Sequence, residues 1–181
     1  ISQIQFSASH IPNINAKILE QNFKKTLKYK PHLICTPECS NIITNDKNFL
    51  ILNASYQNTC PVLKMAKDFA KKNKVNINLG SLLLKVKNNR KLVNRSFFID
   101  DHGVIKKTYD KIHMFDVKIN NKERHQESSL FKAGNKIIFT KINNIKLGMT
   151  ICYDLRFPNL YRQLAKKDCS IILVPAAFTR P

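Results

Sequence analysis

Ile145-Lys146-Leu147-Gly148-Met149-Thr150-Ile151-Cys152-Tyr153-Asp154-Leu155-Arg156-Phe157-Pro158 leads an apolar strand into a polar turn, and Pro158 then opens a helix through Leu160, Leu164 and Ala165. Residues 171–174 read as a further strand, so this end of the chain is strand, turn, helix, strand, the signature of an α/β fold. Cys152 falls between strand and helix, where many hydrolases expose a nucleophile on a tight turn. Taken alone, a cysteine in such a place is most often a buried small hydrophobe. Its weight depends on the rest of the chain.

Upstream, Asn143-Asn144 separates two apolar runs, residues 137–142 and 145–151, as a two-residue hairpin does. Residues 109–132 mix polar and apolar types without period, so a long loop is expected there, carrying Lys111 and Glu127. Before it, residues 75–86, 92–99 and 104–108 alternate as an antiparallel meander, with turns at Asn88-Asn89 and Asp101-His102-Gly103. Pro61 begins a helix with Leu63, Ala66, Phe69 and Ala70 on one stripe, ending near Lys72-Asn73. The chain starts with a half-buried strand over residues 1–9. A helix from Asn13 or Asn15 follows through Ile18, Leu19, Phe23 and Leu27, closed by Pro31. Residues 32–36 then form a short strand that delivers Pro37-Glu38 to its C-terminal end.

Composition narrows the function classes. With 181 residues and 43% hydrophobic content, one domain with a real core is expected. No apolar run reaches the ~18–20 residues of a membrane span, and the N-terminus lacks a secretory layout. Ile1 is not a methionine, which leaves room for an upstream segment. The five cysteines are odd in number and irregularly spaced, which fits reduced thiols in a cytoplasmic compartment; no Cys/His spacing reads as a zinc site, and no metal is expected.

The formal charge of +19 is the strongest rival signal, since such a field attracts nucleic acid or anionic surfaces. The lysines, however, are spread among Asn and Ile over the whole chain, aromatics are not interleaved as stacking platforms, and no nucleic-acid motif is visible. The expectation is no dedicated nucleic acid and no membrane partner.

The segment from Gly148 to Pro158 resembles the nucleophile motif of the nitrilase superfamily of carbon–nitrogen hydrolases. Three further motifs occur in the family's order. Thr36-Pro37-Glu38 resembles the segment of the catalytic glutamate, Tyr109-Asp110-Lys111-Ile112-His113-Met114-Phe115-Asp116 that of the lysine, and Gln126-Glu127-Ser128, with Gly134 beyond it, that of an additional active-site glutamate. Singly, Lys111 is one of many lysines and Glu38 a routine strand-end carboxylate; in this order the four are specific.

The resemblance implies an α-β-β-α sandwich that pairs into dimers or larger assemblies, and a cysteine amidase that needs no cofactor. In it Cys152 attacks the amide carbonyl, Glu38 moves protons, Lys111 and the Tyr153 N–H hold the oxyanion, and Glu127 orients Lys111 or the substrate. The residues after the nucleophile are similar to the amidase branch, which cleaves primary or γ-linked amides on small carboxylate substrates: deaminated glutathione first, 2-oxoglutaramate, the omega-amidase substrate, second. Arg156 is expected to bind that carboxylate through its planar fork, against a structural pairing with Asp154 or Asp168. Phe115 and Phe178 are expected to wall the pocket. The chain stops at Ala176-Ala177-Phe178-Thr179-Arg180-Pro181, within a segment that in the family runs on for roughly a third more of a domain. A single carbon–nitrogen hydrolase domain over residues 1–181, lacking its C-terminal strands and helices, is therefore expected, with a non-catalytic remnant binding through its basic surface as the rival.

Overall fold

Ala16, Leu19 and Phe23 recur at helical spacing and are all buried, which is why Pro12–Thr26 forms an amphipathic helix, α1, with its proline in the first turn, where no N–H is missed. The computed structural model describes residues 1–118 and 124–178. Ahead of α1 lies β1 (Ser2–Gln3), shorter than the strand expected over residues 1–9. The chain leaves the sheet early because Asn15, fully buried, accepts the Ser9 N–H at 2.8 Å and donates to the carbonyls of Ser9 and Asn41 at 2.8 and 2.9 Å. The helix ends at Thr26 rather than at Pro31, through a 3₁₀ turn and Lys30 in the left-handed region.

After β2 (Leu33–Cys35) comes a helix that the sequence reading does not assign, α2 (Lys47–Asn53), capped by Asp46, whose carboxylate accepts the Phe49 N–H at 3.0 Å. Then follow α3 (Pro61–Asn73), β3 (Asn76–Leu84), β4 (Val93–Ile99) and β5 (Ile105–Asp110). The parallel strands β1, β2 and β3 are joined by helical crossovers, and β4 and β5 add antiparallel, giving one five-stranded sheet in chain order. The region expected to be a long loop is more ordered than that: Tyr109 and Asp110 belong to β5, and β6 (Asp116–Lys118) pairs antiparallel with β7 (Arg124–Gln126). Three-residue strands offer too little alternation to be seen in sequence.

The second sheet holds β8 (Ile138–Ile142), β9 (Ile145–Met149) and β10 (Ile171–Leu173), in the order β10-β9-β8, with α4 (Pro158–Ala165) between β9 and β10. Asn143 turns the β8–β9 hairpin with φ 50°. Strand pleating sorts the core into layers. In β2 and β4, Ile34 and Phe97 join Leu19, Phe23, Leu63 and Phe69 beneath α1 and α3, whereas their neighbours Leu33 and Phe98 face Leu147, Met149, Ile151 and Leu173 of the second sheet. On that sheet's outer side lies α4: a Cβ on Gly148 would sit 2.9 Å from Leu164 Cδ1 and 2.8 Å from Ile172 Cδ1, so a larger residue there would push these two side-chain ends aside. Each fully buried large apolar side chain contributes roughly 1.5–3 kcal/mol. The result is helix, sheet, sheet, helix, as the sequence resemblance implies. Among the described residues, no helix is long and apolar enough to cross a membrane.

Candidate active site

The polar residues gather where β2, β5 and β9 end. Thr36-Pro37-Glu38 follows β2, and the irregular stretch of β3 between Leu79 and Leu82 clamps it: Thr36 Oγ1 accepts the Gly80 N–H at 3.0 Å, the Pro37 carbonyl the Ser81 N–H at 3.3 Å, and Ser81 Oγ the Cys39 N–H at 2.9 Å. Gly80 is required for this approach, because a Cβ there would lie 2.1 Å from the Thr36 oxygen. Cys39 turns the chain away with φ 56°. Glu38 is thereby held 6% exposed.

Lys111, 3% exposed, follows β5; its N–H bonds the Asn94 carbonyl at 2.9 Å and its carbonyl takes the Gly134 N–H at 2.8 Å. Its ammonium lies 3.1 Å from Glu38 Oε1 and 2.9 Å from Glu127 Oε2, one cation between two carboxylates. Glu127 opens a 3₁₀ turn after β7 and is fixed by the Phe115 N–H at 2.6 Å. Glu38 takes two more donors: Asn94 Nδ2 on Oε1 at 2.9 Å and the Ala177 N–H on Oε2 at 3.0 Å.

Cys152 comes three residues after β9 ends, with φ 45°, a strained conformation for a side-chain-bearing residue and one that functional sites favour. Its own N–H is spent on the Pro175 carbonyl at 2.8 Å. The turn is held from inside by Asp154, fully buried, which accepts from the Ile151 N–H (2.9 Å), the Tyr109 hydroxyl (2.6 Å) and the His113 N–H (3.0 Å), with His113 Nδ1 2.7 Å away. This one carboxylate ties the Lys111 segment to the Cys152 turn.

Burial pushes the Cys152 thiol up to about 12, helped by the Glu38 charge and opposed by Lys111. Burial alone would lower the Lys111 ammonium, but Glu38 and Glu127 together hold it above its ordinary range. The resting site therefore contains a neutral thiol, and it needs a base. Cys35 is likewise pushed up to about 12, chiefly by burial. Thiols whose neutral form is favoured in the fold contribute stability that is complete below the ordinary value of 9.0 and is lost as pH rises towards 12. Urea unfolding between pH 8 and 11 is expected to show a steady fall in midpoint beginning near pH 9; a flat profile would mean that these thiols are not buried in solution.

The structure thus brings together Glu38, Lys111, Cys152 and Glu127, with Tyr153 next in the chain to the nucleophile. Phe115 stands beside Glu127, its ring centroid 5.0 Å from that of Tyr153 and 5.2 Å from that of His125, and Tyr153 in turn meets Phe157, which stacks on His113 at 3.6 Å. Arg156 is exposed on the same turn and, among the described residues, pairs with neither Asp154 nor Asp168, whose carboxylate is instead 3.2 Å from Lys146. Phe178 does not wall the cluster: the Ala177 N–H points in towards Glu38, and the next side chain points out, 83% exposed. Asn94 and the Ala177 N–H are missed by sequence reading; a lone asparagine after Leu92-Val93 was the one visible sign of the former. Among the described residues the one group with metal-ligand spacing is Asp100, Asp101 and His102, at the far end of β4 and β5, where Asp100 Oδ1 already accepts the His102 and Val104 N–H groups.

Residues 11–180 match the carbon-nitrogen hydrolase family. A deaminated glutathione amidase of Dictyostelium discoideum is 34% identical over 97% of this chain and 62% of its own length, and one of Yersinia enterocolitica 32% identical over 99% and 63%. The chain thus spans less than two thirds of these relatives. Among solved structures, the Caenorhabditis elegans NitFhit protein superposes with a TM-score of 0.88 at 29% identity, over 98% of this chain and 43% of that one. An amidase from Nesterenkonia sp. shares the fold, with a TM-score of 0.83 at 18% identity over 98% of this chain and 64% of that one.

Proposed function

The chain belongs to the carbon–nitrogen hydrolase family of the nitrilase superfamily, and on that premise we propose that it hydrolyses an amide of a small carboxylate substrate through a thioester on Cys152. One observation carries the reading: three segments far apart in sequence converge on a cluster of Glu38, Lys111 and Cys152, with Glu127 behind the lysine.

Glu38 takes the thiol proton as sulfur attacks the carbonyl carbon, since a thiol held near 12 has no standing thiolate at neutral pH. The C–S bond forms and the carbonyl π pair moves onto oxygen. Two of the three ammonium protons of Lys111 are committed to Glu38 and Glu127; the third, with the Tyr153 N–H, receives the oxyanion. As the tetrahedral intermediate collapses, the C–N bond breaks and Glu38 passes its proton to the leaving nitrogen. Water, deprotonated by Glu38, then attacks the thioester; the C–S bond breaks, the departing sulfur takes that proton back from Glu38, and the acid leaves a neutral thiol and an ionised Glu38 behind. No step calls for a cofactor.

The relatives' names favour deaminated glutathione as substrate, and Arg156, exposed and without an ion-pair partner among the described residues, offers its fork to the carboxylate; 2-oxoglutaramate is the second choice. A cytoplasmic location and assembly as a dimer belong to the same proposal. Deaminated glutathione, 2-oxoglutaramate and glutamine, supplied in parallel to the purified protein, test it, with turnover of the first expected to be fastest. Arg156→Lys should raise KM for carboxylate-bearing amides about tenfold or more while leaving kcat nearly intact. A folded protein that turns over none of the three removes the substrate proposal, and an unchanged KM removes the role of Arg156.

A further inference from the structure

We propose that Asn94 is the positioning residue of the general base: from β4 it fixes both the aim of Glu38 and the ease with which Glu38 gives up a proton. The inference rests on the hydrolase reading but concerns a residue outside its four-member cluster. Asn94 is 1% exposed and makes two bonds to the catalytic machinery. Its Nδ2 donates to Glu38 Oε1 at 2.9 Å, and its carbonyl accepts the Lys111 N–H at 2.9 Å. One residue thus sets the side chain of the base and the backbone of the lysine.

Its remaining atom is the informative one. Among the described residues, Asn94 Oδ1 is the buried side-chain polar atom without a hydrogen-bond partner. Neighbouring buried polar groups are satisfied: Asn78 Oδ1 and the Leu79 carbonyl accept from Ser96 Oγ. Turning the amide over would set Oδ1 against a carboxylate, so the ionised Glu38 dictates its orientation at the expense of an acceptor. A position selected for packing alone would be apolar, as Leu92 and Val93 are.

The chemistry follows from donor count. Lys111, Asn94 and Ala177 all donate to Glu38, and of these Asn94 is the neutral side-chain donor. Once Glu38 has taken the Cys152 proton, the Asn94 NH₂ faces a neutral acid and loses its charged acceptor, which favours transfer onward to the leaving nitrogen. Asn94 touches no reacting atom; it acts through Glu38.

Asn94→Leu removes the donor together with the orphan acceptor, and Asn94→Asp sets a second carboxylate beside Glu38. The test is the pH profile of Cys152 alkylation by iodoacetamide, read by mass spectrometry, beside kcat/KM profiles and thermal midpoints. In Asn94→Leu the acidic limb of both profiles is expected to move up by about one pH unit and kcat to fall roughly tenfold or more, with KM and the thermal midpoint little changed. In Asn94→Asp the limb should move further in the same direction. An unmoved limb in both variants, with activity falling only in step with thermal stability, overturns the proposal. If the wild type turns over no amide and the alkylation limb still moves, the positioning role stands and the hydrolase reading fails instead.

Discussion

Cys152→Ala is expected to abolish amide turnover, with a loss on the order of 10⁵–10⁶ in kcat, because removal of a covalent nucleophile leaves only binding and oxyanion stabilisation. The fold should be undisturbed. The thiol meets Glu38 and the Ala177 backbone at the site itself; the turn is held by Asp154 and by the Cys152 N–H on Pro175, and alanine keeps that backbone bond. The φ of 45° sharpens the expectation. A side-chain-bearing residue in that region costs about 1–2 kcal/mol, which glycine does not incur. Cys152→Gly should therefore be no less stable than Cys152→Ala, and equally inactive. Intact-mass analysis of wild type quenched with substrate should show an acyl adduct on Cys152. An adduct on Cys39, whose thiol also lies in the field of Glu38 and Lys111 and is held well above its ordinary range chiefly by burial, would transfer the chemistry to the wrong side of the site and overturn the assignment.

Strain at Cys152 also shows which features were legible in the sequence. Long elements with strong period were: α1, α3 and the three strands of the meander lie within a few residues of their expected places, because 13 to 15 residues of helical stripe and six to nine of strand average out local noise. The Asn143 turn was legible because only a few residues accept positive φ. Short elements were not. β6 and β7 have three residues each, and α2 is held by its Asp46 cap and by tertiary packing of Leu50. Glu38, Lys111, Glu127 and Cys152 could be named in advance because their motifs are local. Asn94 and Ala177 could not, because their roles consist of distances to Glu38 across 56 and 139 residues, and no local pattern encodes such a distance. Phe178 was misplaced for a related reason: it lies beyond β10, where no strand period tells which way a side chain faces.

Lys111→Met should be the most damaging single change to stability and activity together. Lys111 is 3% exposed and lies 3.1 Å from Glu38 and 2.9 Å from Glu127, whose side chains are 6% and 15% exposed. Methionine fills similar volume but leaves one buried and one half-buried carboxylate with no cation between them. Breaking a buried pair from one side costs roughly 3–5 kcal/mol, most of it from the charge left behind. One carboxylate is then forced to bind a proton, raising its folded value above the unfolded carboxylate range of ~4.3. By linkage, a group raised in the fold contributes most below its unfolded value and loses that contribution as pH rises, so the variant should be closest to wild type near pH 5 and fall away towards pH 8. Urea titrations at several pH values read this directly. Turnover should fall at least 10³-fold, since the oxyanion donor and the ionic state of Glu38 are lost together. Adding Glu127→Gln to Lys111→Met removes one of the two opposing charges and should restore part of the stability without restoring activity. If Lys111→Met alone shows the wild-type dependence of stability on pH and loses less than tenfold in kcat, then Lys111 does not hold those two carboxylates in solution, and the site as described does not exist.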